Sequence, residues 1–346
     1  MDAAQLVIFI GLLIFVSHLF AGIFEKRGIP DVLMLMIIGI IIGPVLNLVT
    51  PESFGIVTGI FTITLVFILF QGGLDLRFET MQSALRGMTF ITCTNFGATT
   101  LVVGLIAWLL LGLEPIPAFT LGAILGGTSS AVVIPLVKQL KLQESARTIL
   151  VLESALSDVL CIVFVLALIQ AYSADGIRVG AIIGSIISSF TLAALLGIVS
   201  ALLWSVLLAK IRTIKNSMFT TPAFVFVIYG IAEVLGFSGA IAALAFGVTL
   251  ANIDRFRFKT IQRLVNRGMN TFNDSEKQFF SEIVFLLKTF FFVFIGISIQ
   301  FTNGWALLFG FFITIVIYIL RIPVVKFSIY EALPTIDLTI MSTMAP

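Results

Sequence analysis

The sequence predicts an all-α polytopic membrane protein, and three observations lead to this fold class. Of the 346 residues, 59% are hydrophobic and only 11% are charged, whereas a soluble domain carries about 25% charged residues. The mean hydropathy is +1.17. Apolar stretches long enough to cross a bilayer, which takes roughly 17–25 residues, follow one another along almost the whole chain.

We predict eleven full spans, most of them joined by short turns. They cover residues 3–24, 30–50, 55–74, 87–112, 116–138, 147–172, 179–209, 219–235, 238–252, 280–300 and 304–330. The run 238–252 is short, whereas 179–209 is long enough for a strongly tilted helix. A twelfth apolar segment opens near Pro334 and stops at Pro346, so we expect residues 1–346 to be the membrane domain of a truncated, longer protein.

The basic residues predict the orientation of these spans. If the N-terminus lies outside the cell, the turns place all but three of the 20 Lys and Arg residues on the cytoplasmic side. The exceptions are Arg178, which falls outside, and Lys288 and Arg321, which fall within spans. The positive-inside rule therefore predicts a multi-pass protein of the cell membrane with an extracellular or periplasmic N-terminus.

One cytoplasmic turn, residues 253–279, is longer than the others and carries six basic residues. Aromatic and basic residues lie at helical spacing over 256–265. An interfacial helix anchored at anionic headgroups is the favoured interpretation, and a regulatory or partner-docking segment is the alternative.

The same topology divides the chain into two halves of opposite orientation. The first set, spans one to six, starts on the outside. The long span 179–209 then crosses back, so the second set, from residue 219 onward, starts on the inside. Inverted repeats of this kind are typical of secondary transporters that hold their substrate site near the bilayer midplane.

Two segments at corresponding positions of the halves carry signals that interrupt a helix. The first is Gly126-Gly127-Thr128-Ser129-Ser130, and the second is Met341-Ser342-Thr343-Met344-Ala345-Pro346. Paired interruptions predict a transport site, because unwound backbone at bilayer depth is tolerated only where it is buried or lines a cavity. For the first segment alone, a small-residue face for helix packing is an equally good interpretation.

Asp158 lies in the middle of an apolar span, on the short track Glu153, Ser154, Ser157, Asp158. A charge at this depth costs roughly 2.5–3.5 kcal/mol on insertion scales, so such residues usually face a water-filled cavity and handle ions or protons. Glu153 stacks over Ser157 and Ser154 over Asp158 on the helix, and the latter pair offers hard oxygens suited to an alkali cation. The alternative is a purely structural ion pair.

Arg321 and Lys288 lie too far from the ends of their spans to reach water easily, so each needs a partner. We expect Arg321 to pair with Glu153, and Lys288 either to pair with Glu282 or to approach Asp158. Glu233, near the outer end of a span, is an entrance charge or an interfacial residue, with the second favoured. The only histidine, His18, is expected to be a packing residue.

These pieces, in this order, resemble the monovalent cation/proton antiporter superfamily, and its NhaP-like sodium/proton exchangers in particular. Residues 69–74 look like the family's Phe-Glu-Gly-Gly-Leu segment, with Gln71 at the acidic position. Residues 127–130 look like its Thr-Asp-Pro crossover, with Ser129 at the Asp. Glu153-Ser154 followed by Ser157-Asp158 looks like its Glu-Ser-x-x-Asn-Asp signature. Phe291-Phe292 through Gly296, and Arg321, also fit.

The resemblance implies an NhaA-like antiporter fold with inverted repeats and two broken helices that cross near Asp158. A scaffold, or dimerisation, part would cover about 1–86 and 219–300, and an ion-binding core would cover about 87–172 and 304–346. Residues 179–209 would link the two repeats. The family also implies a homodimer.

Site roles follow from the same resemblance. Asp158 would bind the cation and the proton alternately, with Ser154 and Thr128 as further ligands of Na⁺ or K⁺. Ser129 and Ser157 would occupy the remaining ion-site positions, and Glu153 would support the site, held by Arg321. Lys288 and Gln71 would add supporting polar groups.

The sequence thus predicts a secondary active antiporter, and not an enzyme, that exchanges Na⁺, or alternatively K⁺, for H⁺ by alternating access. Because one carboxylate swaps one proton for one cation, we expect electroneutral 1:1 exchange and a role in pH homeostasis. A Kef-type potassium efflux system, gated by a cytosolic domain beyond Pro346, is the alternative. A membrane-embedded enzyme would need a second catalytic group near Asp158. We expect no cofactor and no nucleic-acid partner.

Overall fold

The computed structural model describes most of the chain, and every statement about structure refers to that part. The described residues are 8, 11–19, 31–49, 57–173, 179–211, 219–253, 274–301, 304–328 and 333–344. Most of the predicted amphipathic segment, residues 254–273, lies outside these ranges, as does the pair Ala345 and Pro346.

Helices and short turns make up the described ranges. In chain order the helices are α1 (residues 11–19), α2 (Asp31–Ile40, continued by a π-helical turn Ile41–Val45), α3 (Val57–Leu74), α4 (Phe78–Leu111), α5 (Pro115–Ile124), α6 (Ser130–Gln139), α7 (Glu144–Ser173), α8 (Val179–Ile211), α9 (Thr220–Val234), α10 (Gly239–Ala251), α11 (Asp274–Ser298), α12 (Gly304–Ser328) and α13 (Thr335–Thr343).

Five of these helices, α4, α7, α8, α11 and α12, are each long and apolar enough to cross a membrane. Shorter apolar helices of 10–17 residues accompany them, among them α5, α9 and α10. The chain is therefore an all-α, multi-pass membrane protein, as predicted.

Several helix boundaries differ from the predicted spans. α4 begins at Phe78 and not near 87, and α11 begins at Asp274 and not at 280. The apolar segment marks only the part of a helix that is suited to the bilayer interior, and charged first turns extend each helix toward the water. The predicted span 116–138 is divided into α5 and α6, with the interruption where the glycine pair predicts it.

Glycine allows α2 and α11 to touch backbone to backbone. A Cβ added to Gly39 would lie 2.8 Å from the Cα of Gly296, and it would collide with the carbonyl oxygen of Val293. In the reverse direction, a Cβ on Gly296 would collide with the carbonyl oxygen of Met36. Small residues at helix interfaces permit such close approach in membranes, where dispersion contacts drive association.

The same geometry joins α3 to α10. A Cβ on Gly73 would lie 3.1 Å from the Cα of Gly247 and would collide with the carbonyl oxygen of Leu244. A Cβ on Gly247 would collide with the carbonyl oxygen of Phe70. In both helix pairs the obstructing carbonyl lies three residues before the partner glycine, so the two contacts correspond atom by atom.

The helices pack in two groups. In the first group α2 packs on α11, α3 packs on α10 and α11, and α8 and α9 pack on α10. In the second, α4 packs on α5, α7 and α12, while α7 also contacts α5, α6 and α13. Contacts of α6 with α2 and α3, and of α7 with α8 and α10, join the groups. The predicted ion ligands lie on α7 and in the segment between α5 and α6.

Polar contacts at the ends of α3 and α6 also join the two groups. The Lys138 ammonium of α6 lies 2.7 Å from a carboxylate oxygen of Asp75, just after α3. The Asn252 side chain, at the end of α10, donates to the Leu76 carbonyl at 2.9 Å and accepts from the Phe78 N–H at 2.9 Å. These bonds hold the turn between α3 and α4 against α10 and α6.

We predict that Gly247→Ala lowers the thermal stability of the purified protein in detergent, because the added methyl group must displace the α3 backbone. Overpacking of this kind typically costs about 1–3 kcal/mol. Gly230→Ala in α9 is the matched control, since nothing lies within 4 Å of its Cβ position. Equal unfolding temperatures for the two variants would show that the α3–α10 contact is looser than described.

Candidate functional site

The candidate site is built around the interruption between α5 and α6. α5 ends at Ile124, and α6 begins at Ser130. Gly127 lies against α7, where a Cβ would collide with the Cys161 thiol. Glycine at this position therefore lets the unwound segment approach the helix that carries Asp158.

Ser157 of α7 binds Thr128 of the unwound segment. The Ser157 hydroxyl lies 3.1 Å from the Thr128 backbone nitrogen, 3.2 Å from its hydroxyl and 3.2 Å from its carbonyl oxygen. Its oxygen accepts from the Thr128 N–H, and its proton is donated to the Thr128 carbonyl or, at 3.0 Å, to that of Ser154. One serine thus satisfies backbone groups that the helix break leaves unpaired.

The side chain of Asp158, a residue of α7, lies against the N-terminus of α6. The Ser130 hydroxyl donates to its carboxylate oxygen Oδ2, and the Ser130 backbone N–H donates to the carboxylate as well. A helix N-terminus carries a partial positive charge and unpaired N–H groups, so it stabilises an anion there. Asp158 is partly buried, and Ser130 is 1% exposed. Ser130 was not among the predicted site residues, although it is the last residue of the predicted interruption.

Ser154 and Ser129, the other predicted ion-site residues, differ in burial and in hydrogen bonding. Ser154 is completely buried one turn before Asp158, and its hydroxyl donates to the Val151 carbonyl at 2.9 Å. Its oxygen keeps lone pairs that can accept a cation. Ser129 is the N-cap residue of α6, but its side chain is exposed and makes no capping hydrogen bond.

Glu153 and Arg321 form a buried, two-pronged ion pair. Arg321 Nη1 lies 2.6 Å from Glu153 Oε1, and Nη2 lies 2.9 Å from Oε2. The two side chains are 1% exposed or less. This bidentate geometry is the strong form of an arginine–carboxylate contact and confirms the predicted pairing.

Arg321 also holds the end of α13. Its Nε donates to the carbonyl oxygen of Met341 at 2.9 Å. α13 ends at Thr343, inside the second predicted interruption. Since the last carbonyls of a helix lack backbone partners and carry partial negative charge, a guanidinium is well placed there. One arginine therefore ties α12 both to α7 and to α13.

The remaining predicted residues lie elsewhere. Lys288 is buried on α11, with its ammonium 5.5 Å from the centroid of the Phe285 ring. Glu282, one of its predicted partners, lies 3.9 Å from Nε2 of His18, near the end of α1. The His18 ring packs edge-on against Phe285, but 55% of the His18 side chain is exposed, so His18 is only partly packed.

Gln71 and Glu233 complete the set of predicted polar residues. Gln71 is partly buried near the end of α3, beside Gly72, whose Cβ position lies 2.9 Å from the Ile134 side chain of α6. Glu233, near the end of α9, accepts a hydrogen bond from the Gly239 N–H at 2.8 Å. Glu233 therefore stabilises the turn into α10.

The arrangement brings one exchangeable carboxylate together with neutral oxygens. Asp158, Ser130, Thr128, Ser157 and Ser154 lie on two adjoining elements, whereas the Glu153 carboxylate is committed to Arg321. Among the described residues, no three His, Cys, Asp or Glu side chains are grouped to hold a metal ion. A single carboxylate with hydroxyl and carbonyl oxygens is suited to a hard monovalent cation or to a proton.

Comparison with known proteins assigns the family. The family model "Sodium/hydrogen exchanger, transmembrane" matches residues 11–343, so the chain belongs to this family of transporters. The resemblance to NhaP-like monovalent cation/proton antiporters is thereby confirmed.

Two curated relatives illustrate the range of the family. Na⁺/H⁺ antiporter 1 of Methanocaldococcus jannaschii is 29% identical over 167 residues, which cover 47% of this chain and 39% of that protein. The K⁺/H⁺ antiporter NhaP2 of Shewanella oneidensis is 28% identical over 249 residues, covering 70% of this chain and 43% of that protein. The matched part of the chain thus spans about two fifths of the length of these relatives.

A solved structure shares the fold. The sodium proton antiporter MjNhaP1 from Methanocaldococcus jannaschii at pH 8 superposes with a TM-score of 0.71 and 20% sequence identity. The match covers 100% of this chain and 86% of that one. The predicted antiporter fold is therefore confirmed at the level of its architecture, and the Kef-type alternative finds no support in these matches.

We predict that Glu153→Gln or Arg321→Met strongly destabilises the protein, because each leaves a buried charge without its partner. Breaking a buried pair from one side costs about 3–5 kcal/mol, while removing both charges costs less than the two single changes together. Thermal unfolding of the single and double variants in detergent measures this coupling.

Asp75→Asn is the control for this experiment, since the side chains of Asp75 and Lys138 are 46% and 29% exposed. A solvent-accessible pair of this kind contributes at most about 1 kcal/mol. Additive effects of Glu153→Gln and Arg321→Met would contradict the coupling inferred from the geometry.

Proposed function

We propose that the protein exchanges a monovalent cation for a proton across the membrane by alternating access. Sodium is the favoured cation and potassium is the alternative. The observation that carries this proposal is the position of Asp158, whose carboxylate meets the N-terminus of a broken helix at bilayer depth. Membership of the sodium/hydrogen exchanger family supports it.

In this mechanism Asp158 binds the cation and the proton in turn. Ser154 and Thr128 provide further oxygen ligands, with Ser157 and Ser129 beside them. Ser157 also bridges α7 to the unwound segment, so ligands on both elements move as one unit. Glu153 and Arg321 do not exchange ions; they hold α7 and α13 in position around the site.

Coupling follows from the cost of moving an unpaired charge through an apolar region. When either a cation or a proton occupies Asp158, the carboxylate is neutralised and the site can change its exposure to the two sides. When neither is bound, the charged site faces a large desolvation cost, and the change of exposure is slow. Exchange is then obligatory, because only occupied states cross.

We predict that Asp158→Asn abolishes exchange, since an amide can neither release a proton nor balance a cation. The measurement uses purified protein in liposomes with a trapped pH-sensitive dye, to which sodium and then potassium are added. The ion that produces dequenching in the wild-type protein identifies the substrate.

Asp337→Asn provides a matched control for this experiment. Asp337 is buried in the first turn of α13 and accepts a hydrogen bond from the Gln143 N–H at 3.2 Å that an amide oxygen can also accept. We expect this variant to transport. Exchange that survives in Asp158→Asn would refute the role proposed for Asp158.

We also predict that exchange is electroneutral, with one cation moved for each proton. Each uncompensated elementary charge would couple transport to the membrane potential by about 2.3 kcal/mol per 100 mV. The exchange rate in liposomes should therefore be unchanged when a potential of either sign is imposed. A rate that follows the potential would mean that the two ion fluxes are unequal.

The inverted repeats are part of the same proposal. The α2–α11 and α3–α10 contacts support them, because the two pairs place glycines and obstructing carbonyls in equivalent positions. In an inverted repeat α3 corresponds to α11 and α10 to α2, so each contact is the image of the other. α12 and α13 then correspond to α4 and to the broken helix α5–α6.

Alternating access requires that two bodies move relative to each other. The group of α2, α3 and α8–α11 and the group of α4–α7, α12 and α13 are natural bodies for this motion, because most helix contacts fall within one group or the other. They overlap the scaffold and core expected from the sequence, with α8 in the position of the linker. The Asp75–Lys138 ion pair joins α3 to α6 and must open or shift as they move.

In the cell, the proposed exchanger lies in the cell membrane as a homodimer with its N-terminus outside, and contributes to pH homeostasis. The asymmetric distribution of basic residues supports this orientation. In this proposal, transport needs no bound cofactor.

A further inference from the structure

The end of α3 meets α6 in two contacts at successive turns. A Cβ on Gly72 would lie 2.9 Å from Cγ2 and 3.1 Å from Cδ1 of Ile134, so the α3 backbone and the Ile134 side chain are in close contact. One turn further along α6, the Lys138 ammonium lies 2.7 Å from a carboxylate oxygen of Asp75. We call these four residues the α3–α6 seam.

The seam lies between the ion site and one surface of the membrane. Ser130, Ile134 and Lys138 are four residues apart, so they lie on neighbouring turns along one side of α6. Ser130 contacts Asp158, and Lys138 lies about 12 Å further along the helix axis. The distribution of basic residues predicts that this end of α6 is cytoplasmic. An ion that moves along α6 between Asp158 and the cytoplasm therefore passes the seam.

The seam also joins the two helix groups that alternating access would move apart. α3 belongs to the first group and α6 to the second. The turn after α3 is fixed to the first group, because the Asn252 side chain of α10 bonds to the Leu76 carbonyl and the Phe78 N–H, both at 2.9 Å. Asp75 is thus anchored on one body, and Lys138 reaches it from the other.

The charges around Lys138 make its ion pair a reversible contact. Lys288 of α11 and Arg147 of α7 are close enough for their positive charges to oppose that of Lys138, and Asp75 compensates them. The side chains of Asp75 and Lys138 are 46% and 29% exposed, so water can replace either partner. A pair of this exposure shifts an equilibrium by no more than about fivefold. It can therefore bias a conformational equilibrium and still break in every cycle.

We propose that the α3–α6 seam is the cytoplasmic gate of the transporter, and that the Asp75–Lys138 pair is its latch. In this conformation the gate is closed. It opens when α6 moves away from α3, which separates Ile134 from Gly72 and breaks the ion pair. This inference rests on the proposed antiport by alternating access, and it identifies the residues that separate the ion site from the cytoplasm in one of the two states.

A reversible crosslink tests whether the seam has to open. In Gly72→Cys/Ile134→Cys the two Cβ atoms meet the separation of about 3.5–4.5 Å that a disulfide needs. The reason is that the Gly72 Cβ position lies 2.9 Å from Cγ2 and 3.6 Å from Cγ1 of Ile134, both of which are bonded to its Cβ. Oxidation of this variant in liposomes should abolish exchange, and a reducing agent should restore it. Exchange that continues in the fully crosslinked protein would overturn the gate.

Ser17→Cys/Thr289→Cys is the matched control for the crosslink. It joins α1 to α11, both within the scaffold expected from the sequence, and the two hydroxyl oxygens it replaces lie 2.8 Å apart. Its oxidation should leave exchange unchanged. The wild type, treated with the same oxidant, controls for Cys93 and Cys161. Loss of exchange in every oxidised sample would count against the gate, because the crosslink at the seam would then have no specific effect.

Thiol labelling in detergent tests the latch without any need for transport. The reporter is Ile134→Cys, treated with a water-soluble maleimide. Adding Asp75→Asn or Lys138→Gln should raise its labelling rate by about two- to fivefold, because the open state becomes more populated. The charge exchange Asp75→Lys/Lys138→Asp should restore the original rate. Gln139→Cys, at the exposed end of α6, should label equally fast with and without the latch.

The two experiments separate failure of the gate from failure of the antiport function. Equal labelling of Ile134→Cys with and without Asp75→Asn and Lys138→Gln would refute the latch. If the wild type exchanges no cation in liposomes, the antiport function is refuted, and the labelling rates still decide whether the seam opens.

Discussion

The contact between Asp158 and the N-terminus of α6 is the interaction on which the rest of the site depends. A carboxylate at bilayer depth needs compensation, and a helix can supply it only if the helix begins there. The chain therefore has to unwind between Ile124 and Ser130, and the unwinding leaves backbone groups that need partners. Ser157 satisfies those of Thr128, and Gly127 lets the segment lie close to Cys161 on α7. Each of these local features compensates an energetic cost that the preceding feature creates.

The second buried carboxylate, that of Glu153, is held in an ion pair. Both of its oxygens are bound by Arg321, which also donates to the Met341 carbonyl. This pair is closed to ions, and it joins α7, α12 and α13 in a fixed arrangement. Asp158, five residues further along α7, receives its hydrogen bonds from the neutral Ser130 and no salt bridge from any described residue. The division leaves one carboxylate whose charge can be neutralised by either of two ions, which is what obligatory exchange requires.

The features that could be identified from the sequence are those that depend on hydropathy, charge and helix-breaking residues. Sequence reasoning placed the break at 126–130, paired Arg321 with Glu153, and located most spans, because a buried charge and a glycine pair are both costly and therefore informative. It missed Ser130, which enters the site only because α6 begins there. It left the partner of Lys288 open between Glu282 and Asp158. It did not predict that Glu282 lies 3.9 Å from His18 on α1, because the two residues are distant along the chain.

Competition between the cation and the proton at Asp158 is the central claim, and a binding experiment in unbuffered detergent solution tests it most directly. Calorimetric titration of the purified protein with sodium and with potassium would be combined with a record of the protons released. If both ions use one carboxylate, the apparent Kd in the acidic range should rise about tenfold for each unit that the pH falls, and one proton should leave per cation bound. Both effects should vanish in Asp158→Asn. A Kd that is independent of pH, with no proton release, would contradict the account.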